Sequence, residues 1–408
     1  MRRGALATIV GCLTAWAVAR WLVFDPAQLG DTRTYGHVAR MIDAGAIPYR
    51  DFDSEYPPLA NGLFWMVGRI PGGNYPLAFS LTMAVCLVAT ALAALAIARR
   101  VRLGRVRTGV AIAVIACAPL VLGTVLQTRY DLAVSAAVGW MLVAALYERF
   151  RWAWFVLATA IALKLVPVLL VPTLLLWHLH RRGRTQALTG LATCAAAAAA
   201  TFAPFVAVAP TRVWRLFSYH LDRPAEIESL GASITHVTGG DFTRVLSYGS
   251  ENVAGALSDR LALVSTLLLV IVIGAIAGWT WRGLRRGSDD PTPVVVGAVA
   301  ASLAAAVVLG KVISAQYLVW LLPSVMLIPG IGGAVATGVG VAAMALTQYV
   351  YPYLFDPFVE RGIDRSAWIV VIRNLTVVLL VVLVWPRVRT HRPLPSISAK
   401  MGVTAPEE

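Results

Sequence analysis

The sequence predicts an all-α polytopic membrane protein of about twelve transmembrane helices with two large outward-facing loops. Three observations predict it. Of the 408 residues, 58% are hydrophobic and only 14% are charged, whereas soluble domains run at roughly 45–50% apolar and about 25% charged. The mean hydropathy of +0.72 points the same way. Apolar stretches that can cross a hydrocarbon core of roughly 30 Å, about 20 residues each, recur along the chain. Tyr75–Ala98, Thr108–Leu126, Leu261–Trp281 and Ala367–Trp385 are examples. Basic residues fall in short runs between such stretches: Arg2–Arg3, Arg99–Arg107, Arg149–Arg151, Arg181–Arg184, Arg282–Arg286 and Arg387–Arg392. That is the positive-inside pattern of cytoplasmic loops. It also accounts for the net charge of +14, so no nucleic-acid partner is expected.

The elements follow in order. The first span, about Ala5 to Phe24, starts inside behind Arg2 and Arg3 and is read as a retained anchor. It is long, carries Arg20 and lacks a small-residue cleavage site. Residues 25–74 form the first outward loop, with the apolar piece Leu59–Val67 lying in the interface. A second span returns to the Arg99–Arg107 run. Spans three and four make a hairpin whose outer turn is Gln127–Asp131. Trp152–His180 is too long for one helix and is punctuated by Lys164 and Pro167, so it reads as two shorter helices meeting near the outer face. Span seven, Ala187–Val206, leads to the second outward loop, residues 211–260. Span eight returns to Arg282–Arg286. Spans nine and ten turn around Lys311–Tyr317, and span eleven exits near Tyr351. Span twelve ends at Arg387. Residues 1–386 thus read as one transmembrane domain, and 387–408, with three prolines, as a disordered cytoplasmic tail.

Both termini are then cytoplasmic. All but five of the 21 acids (Glu148, Asp289, Asp290, Glu407 and Glu408) lie outside or at the outer edge. Chemistry is therefore expected at the outer face. The four cysteines all lie in apolar stretches without metal-ligand spacing, and read as small buried residues.

Two outward segments concentrate reactive residues. The first holds Asp31 and Tyr35, then Asp51, Asp53 and Glu55 before a Pro-Pro turn. A carboxylate at the water–lipid boundary just beyond span one is placed to take a proton from a hydroxyl. The alternative for Asp31 is a cap on the helix that follows, and Asp51, Asp53 or Glu55 could position sugar hydroxyls. The second segment holds His220, Arg223, Glu226 and Glu228. Arginine is a planar, permanently charged donor suited to phosphate, and His220 could donate to the same group. Arg129, Lys164 and Lys311 sit near the outer ends of spans beside Gln127, Asp131, Gln316 and Tyr317. Snorkelling explains each singly; together they point to a polar cavity that accepts an anion.

Four segments between residues 31 and 323 carry a family resemblance. They are Asp31-x-x-x-Tyr35 with Gly45-x-x-Pro-Tyr49 and Glu55-Tyr-Pro-Pro58; Lys164-x-x-Pro167; His220-x-x-Arg223-x-x-Glu226-x-Glu228-Ser229; and Lys311-x-x-Ser314-x-Gln316-Tyr317-x-x-Trp320-x-x-Pro323. In this order the set resembles the GT-C membrane glycosyltransferases, most closely glycosyltransferase family 87, the polyprenol-phosphate-mannose-dependent α-mannosyltransferases. One departure is Glu226, where a Gln commonly precedes the Glu-Ser pair.

The resemblance implies a GT-C fold and a plasma-membrane enzyme. It implies inverting transfer of a sugar, mannose in that family, from a polyprenyl-phosphate donor to a hydroxyl of a glycolipid or lipoglycan. It implies Asp31 as catalytic base. Arg223, His220, Lys164 and Lys311 would stabilise the leaving phosphate, and the other residues named would bind substrate. No cofactor is expected; Asp51-Phe-Asp53 has the Asp-x-Asp spacing by letter, which leaves a divalent metal open. The rival class is a multi-pass transporter or lipid flippase for a cell-envelope precursor. Such proteins place ionisable groups near the bilayer midplane and are often built from repeats. Neither feature is visible in the sequence.

Overall fold

The computed structural model describes residues 2–240, 243–286, 290–355 and 365–386. The expected tail from 387 onward lies outside them. Among the described residues eight helices are long and apolar enough to cross a membrane. Four shorter segments stand at the other positions where the sequence predicts spans.

The first half runs α1 (Arg2–Leu22), α2 (Gly30–Asp43), α3 (Pro58–Gly68), α4 (Tyr75–Arg100), α5 (Arg105–Leu122), α6 (Val125–Thr128), α7 (Asp131–Leu146) and α8 (Phe150–Leu163). After a 3-10 turn at Val166–Leu170 come α9 (Val171–Arg182), α10 (Arg184–Val208), α11 (Pro210–Asp222) and α12 (Leu230–Val237). A hairpin of β1 (Arg244–Ser247) and β2 (Ser250–Val253) precedes α13 (Gly255–Arg285), α14 (Thr292–Leu309), α15 (Gly330–Gln348) and α16 (Arg365–Val384). Between α14 and α15 the chain makes 3-10 turns at Ala315–Leu321 and Val325–Leu327.

Helix ends follow local chemistry. Asn74 accepts from the Leu77 amide at 3.1 Å and opens α4, which closes on Arg99 and Arg100, cations placed at the negative end of the helix dipole. Lys164 is extended (φ −156°, ψ 134°) and ends α8; Pro167 follows it. The predicted break inside Trp152–His180 is therefore real, and Lys164 is its hinge. Gly123 ends α5 at φ 59°, and a Cβ there would come within 2.6 Å of the Gln348 side chain. Only glycine serves both the turn and that approach.

Packing sorts the helices. Helix α14 is almost wholly buried, whereas α10 and α13 are largely exposed along their apolar lengths. The first is the axis of the bundle and the other two present apolar surface outward to lipid. Helices α7 and α8 have 16 and 14 residues, which span only about 24 and 21 Å. Both end on the same side at polar groups that line the cavity, Asp131 and Lys164, and both are shorter than a roughly 30 Å apolar layer.

The two outward segments are structured. In the first, α2 buries Thr32, Tyr35, Gly36, Val38 and Ala39, and Tyr35 stacks on Phe64 of α3 at 4.1 Å between ring centroids. In the second, α11 packs its Val213 and Leu216 against Tyr49 and Phe205, while α12 and the hairpin, the last not anticipated from the sequence, pack onto the neighbouring ends of α15 and α16. Ile227, Ala232 and Val253 meet Val350, Ala367 and Val370 in a small separate core. The four cysteines are free thiols.

Candidate active site

The two outward segments and the ends of α7 and α8 enclose a cavity of about 720 Å³. Eleven residues singled out from the sequence line it: Asp31, Tyr35, Glu55, Arg129, Lys164, His220, Arg223, Glu226, Glu228, Gln316 and Tyr317. They come from segments up to almost three hundred residues apart.

Three others fall elsewhere. Asp51 is at the surface, takes two hydrogen bonds from Arg50 and one from the Ile47 amide, and is held at about 2 chiefly by the Arg50 bond. Asp53 is exposed with Arg215 at 3.6 Å. Each acid is paired with an arginine at the surface, Asp51 with Arg50 and Asp53 with Arg215. Among the described residues no group of three or more His, Cys, Asp or Glu side chains could hold a metal ion. Lys311 does not reach the cavity; its Nζ donates to the Leu221 carbonyl at 2.7 Å, and its own carbonyl accepts from the Glu226 amide at 2.9 Å. It ties the second outward segment to the turn after α14, which explains a lysine at a span end without a ligand.

Asp31 sits in the first turn of α2, one residue after Gly30, and is paired with Arg129. The N-cap of α2 is Leu29, with no side-chain cap bond. The capping alternative for Asp31 therefore fails, because the carboxylate reaches across to another segment instead of back to a helix amide. Its side chain is 40% exposed against 15% for Arg129, so the base candidate faces the cavity while its cation lies behind it. Tyr35 donates to Asp31 Oδ2 at 3.4 Å.

At the floor, Lys164 Nζ donates to Asp131 Oδ1 at 2.7 Å, and Trp320 Nε1 donates to the same oxygen at 2.8 Å. Tyr130, Tyr317 and Trp320 place their rings 4.9–5.2 Å from the Lys164 ammonium, a cation–π cage. Asp131 is 1% exposed. The Lys164 charge is thus already answered.

Arg223 is different. It ends α11, donates to Ser250 Oγ at 2.7 Å, and lies 4.0 Å from Glu226. Its Nε is buried without a hydrogen-bond partner. Glu226 accepts from the Ile313 amide at 2.7 Å. Burial pushes the Glu226 carboxyl well above the usual carboxylate range, with Glu228 adding to the rise and Arg223 opposing it. Glu226 is thereby held toward its neutral form beside Arg223. A protonated Glu has the shape and polarity of Gln, which reconciles position 226 with the Gln common in the resembling family. Glu228 does separate work: it binds Arg373 of α16 at 2.9 Å, and Asn374 donates to its backbone carbonyl at 2.9 Å. Arg373 is 1% exposed. His220 is kept neutral, because burial lowers its pKa first, and Lys164 and Arg223 add to this against Glu55.

The raised carboxyl has a pH consequence. A Glu whose folded pKa lies above its unfolded value favours the fold while protonated, and that contribution fades as pH rises from the unfolded value through the folded one. Glu226→Gln is expected to match the wild type in thermal midpoint near pH 4 and to exceed it by a growing margin as pH rises from about 5 to 8. Melting curves from pH 4 to 9 check this; parallel curves for the two proteins would refute it.

The fold is a largely helical membrane bundle with an acid–cation cavity at one end. The sequence profile of glycosyltransferase family 87 matches residues 55–314. The chain belongs to that family, and is a glycosyltransferase. The match covers Glu55, the Lys164 break, the His220–Ser229 run and Lys311; Asp31 lies upstream of it. No curated protein matches the chain.

Proposed function

We propose that the protein transfers a sugar, mannose by the resemblance, from a polyprenyl-phosphate donor to a hydroxyl of a glycolipid or lipoglycan at the outer face of the plasma membrane, with inversion at the anomeric carbon. The observation that carries this reading is the presence, in one cavity, of a half-exposed carboxylate and an arginine whose buried Nε has no partner. Asp31 takes the proton from the acceptor hydroxyl as the oxygen attacks the anomeric carbon, and the bond to the phosphate oxygen breaks with its electrons. The leaving lipid monophosphate gains charge as it departs and needs donors already in place. Arg223 supplies them with its free Nε edge, and neutral His220 supplies one more hydrogen bond.

Arg129 is paired with Asp31, and an anionic donor that draws Arg129 toward itself leaves the carboxylate free to meet the acceptor hydroxyl. A floor of short helices that end at polar groups suits a substrate whose lipid stays in the membrane while its head enters from the side.

Arg223→Ala is expected to raise the KM for a polyprenyl-phosphate sugar by about 10–100-fold, the size of one or two charge-assisted hydrogen bonds, and to leave the acceptor KM within a few-fold. Steady-state transfer by the purified enzyme in lipid nanodiscs, with radiolabelled donor, reads both. Equal rises in both constants would remove Arg223 from the donor phosphate.

A further inference from the structure

Four non-glycine residues among those described have positive φ: Tyr49, Arg102, Glu148 and Tyr248. Three have local explanations. Arg102 and Glu148 follow the ends of α4 and α7, where a left-handed residue closes a helix. Tyr49 is buried at 1% exposure with its hydroxyl bonded to Tyr56 and Asn61. Tyr248 has no such account. It is the first residue of the two-residue turn Tyr248-Gly249 that joins β1 to β2, with Ser247 paired to Ser250, and its φ is 52° beside 68° for Gly249. Two positive φ values mark a type I′ turn, which favours Asn, Asp or Gly at this position. A bulky aromatic there costs stability, and such cost concentrates at functional sites. The side chain lines the cavity.

The surroundings say what it meets. Tyr219 donates its hydroxyl to the Tyr248 carbonyl at 2.9 Å, and the two rings pack at 5.0 Å between centroids and 61° between planes. The pair is braced as a unit. Ser250, two residues on, accepts the Arg223 guanidinium, so the turn stands next to the arginine argued above to take the phosphate. Glu55 lies beside Tyr219 and His220 and lines the same cavity as Glu251. An aromatic surface with carboxylates at its rim matches a pyranose, which has an apolar C–H face and hydroxyl donors around its edge.

We infer that Tyr248, braced by Tyr219, is the platform for the sugar ring of the donor, the hexopyranose bonded to the phosphate that Arg223 holds. This rests on the reading of Arg223 as a phosphate ligand and adds a sugar-ring subsite to it.

The test separates ring from phosphate. The protein in nanodiscs is titrated with farnesyl phosphate and with farnesyl-phosphoryl-mannose, reading tryptophan fluorescence. Methyl α-mannopyranoside is examined alone by saturation-transfer NMR. In Tyr248→Asn, which suits a left-handed turn, the thermal midpoint is expected to equal or exceed that of the wild type. Farnesyl phosphate should bind unchanged and the sugar-bearing probe about tenfold more weakly, the scale of one aromatic contact. The methyl mannoside signal should fall, and Tyr248→Phe should keep it. Equal weakening of both farnesyl probes, or no weakening, overturns the platform. So does a methyl mannoside signal that is absent in the wild type or unchanged in Tyr248→Asn. If neither farnesyl probe binds the wild type, the phosphate reading of Arg223 fails on its own, and the methyl mannoside comparison still decides the platform.

Discussion

Asp31→Asn is expected to lower turnover by about 10²–10⁴-fold, the range that general-base catalysis supplies, while the protein folds and binds its donor. Asn keeps the shape of the carboxyl and can accept one hydrogen bond, but it takes no proton at neutral pH. The side chain it replaces is 40% exposed and paired with Arg129, and an ion pair that open contributes about 1 kcal/mol or less to stability. A melting point close to that of the wild type is therefore part of the expectation. Because α2 is capped at Leu29 and not at Asp31, loss of activity cannot be ascribed to a lost helix cap. Donor binding should tighten slightly, since Arg129 is freed from its carboxylate. Near-normal transfer by Asp31→Asn would move the base to Glu55, the other first-segment acid that lines the cavity. Asp51 and Asp53 are paired with Arg50 and Arg215 at the surface, away from the residues that line the cavity.

The fold class was readable because it depends on composition and on the placing of arginine runs, both one-dimensional properties. The broken helix at Lys164 and Pro167 was readable for the same reason: a proline and a charge inside an apolar stretch leave a local mark. Partners were harder. Asp131 and Lys164 are 33 residues apart and Glu228 and Arg373 are 145 apart, and no periodicity links residues on different helices. Lys311 looked like Lys164 from sequence, since both are lysines near an outer helix end beside polar residues. Only the folded chain separates one that bonds a backbone carbonyl from one caged over a buried acid. The hairpin that carries Tyr248 left a weaker sign, the Tyr-Gly dipeptide between two four-residue strands. A tyrosine before that glycine hides the turn, because Asn or Asp is what marks it.

The floor of the cavity sets the second large effect. Lys164→Met leaves the Asp131 carboxylate buried with the Trp320 indole as its remaining donor, and breaking a buried pair from one side costs about 3–5 kcal/mol. A drop in thermal midpoint and loss of folded protein at 37 °C are expected for the single variant. Replacing both partners removes two charges together, which is often neutral when the new side chains pack well. Lys164→Met with Asp131→Leu should therefore recover most of the midpoint, with a residue of loss from the stranded Trp320 N–H. The double variant also decides what the lysine does for the substrate. Its charge is cancelled at 2.7 Å by Asp131, so removing the pair changes the field at the phosphate little, and the donor KM should stay within about threefold of the wild type. By the same argument Lys164 belongs to the scaffold that holds Tyr130, Tyr317 and Trp320 in place, which leaves the phosphate to Arg223 in the function proposed above. A double variant that folds as well as the wild type but loses donor affinity more than tenfold would restore Lys164 to the phosphate clamp.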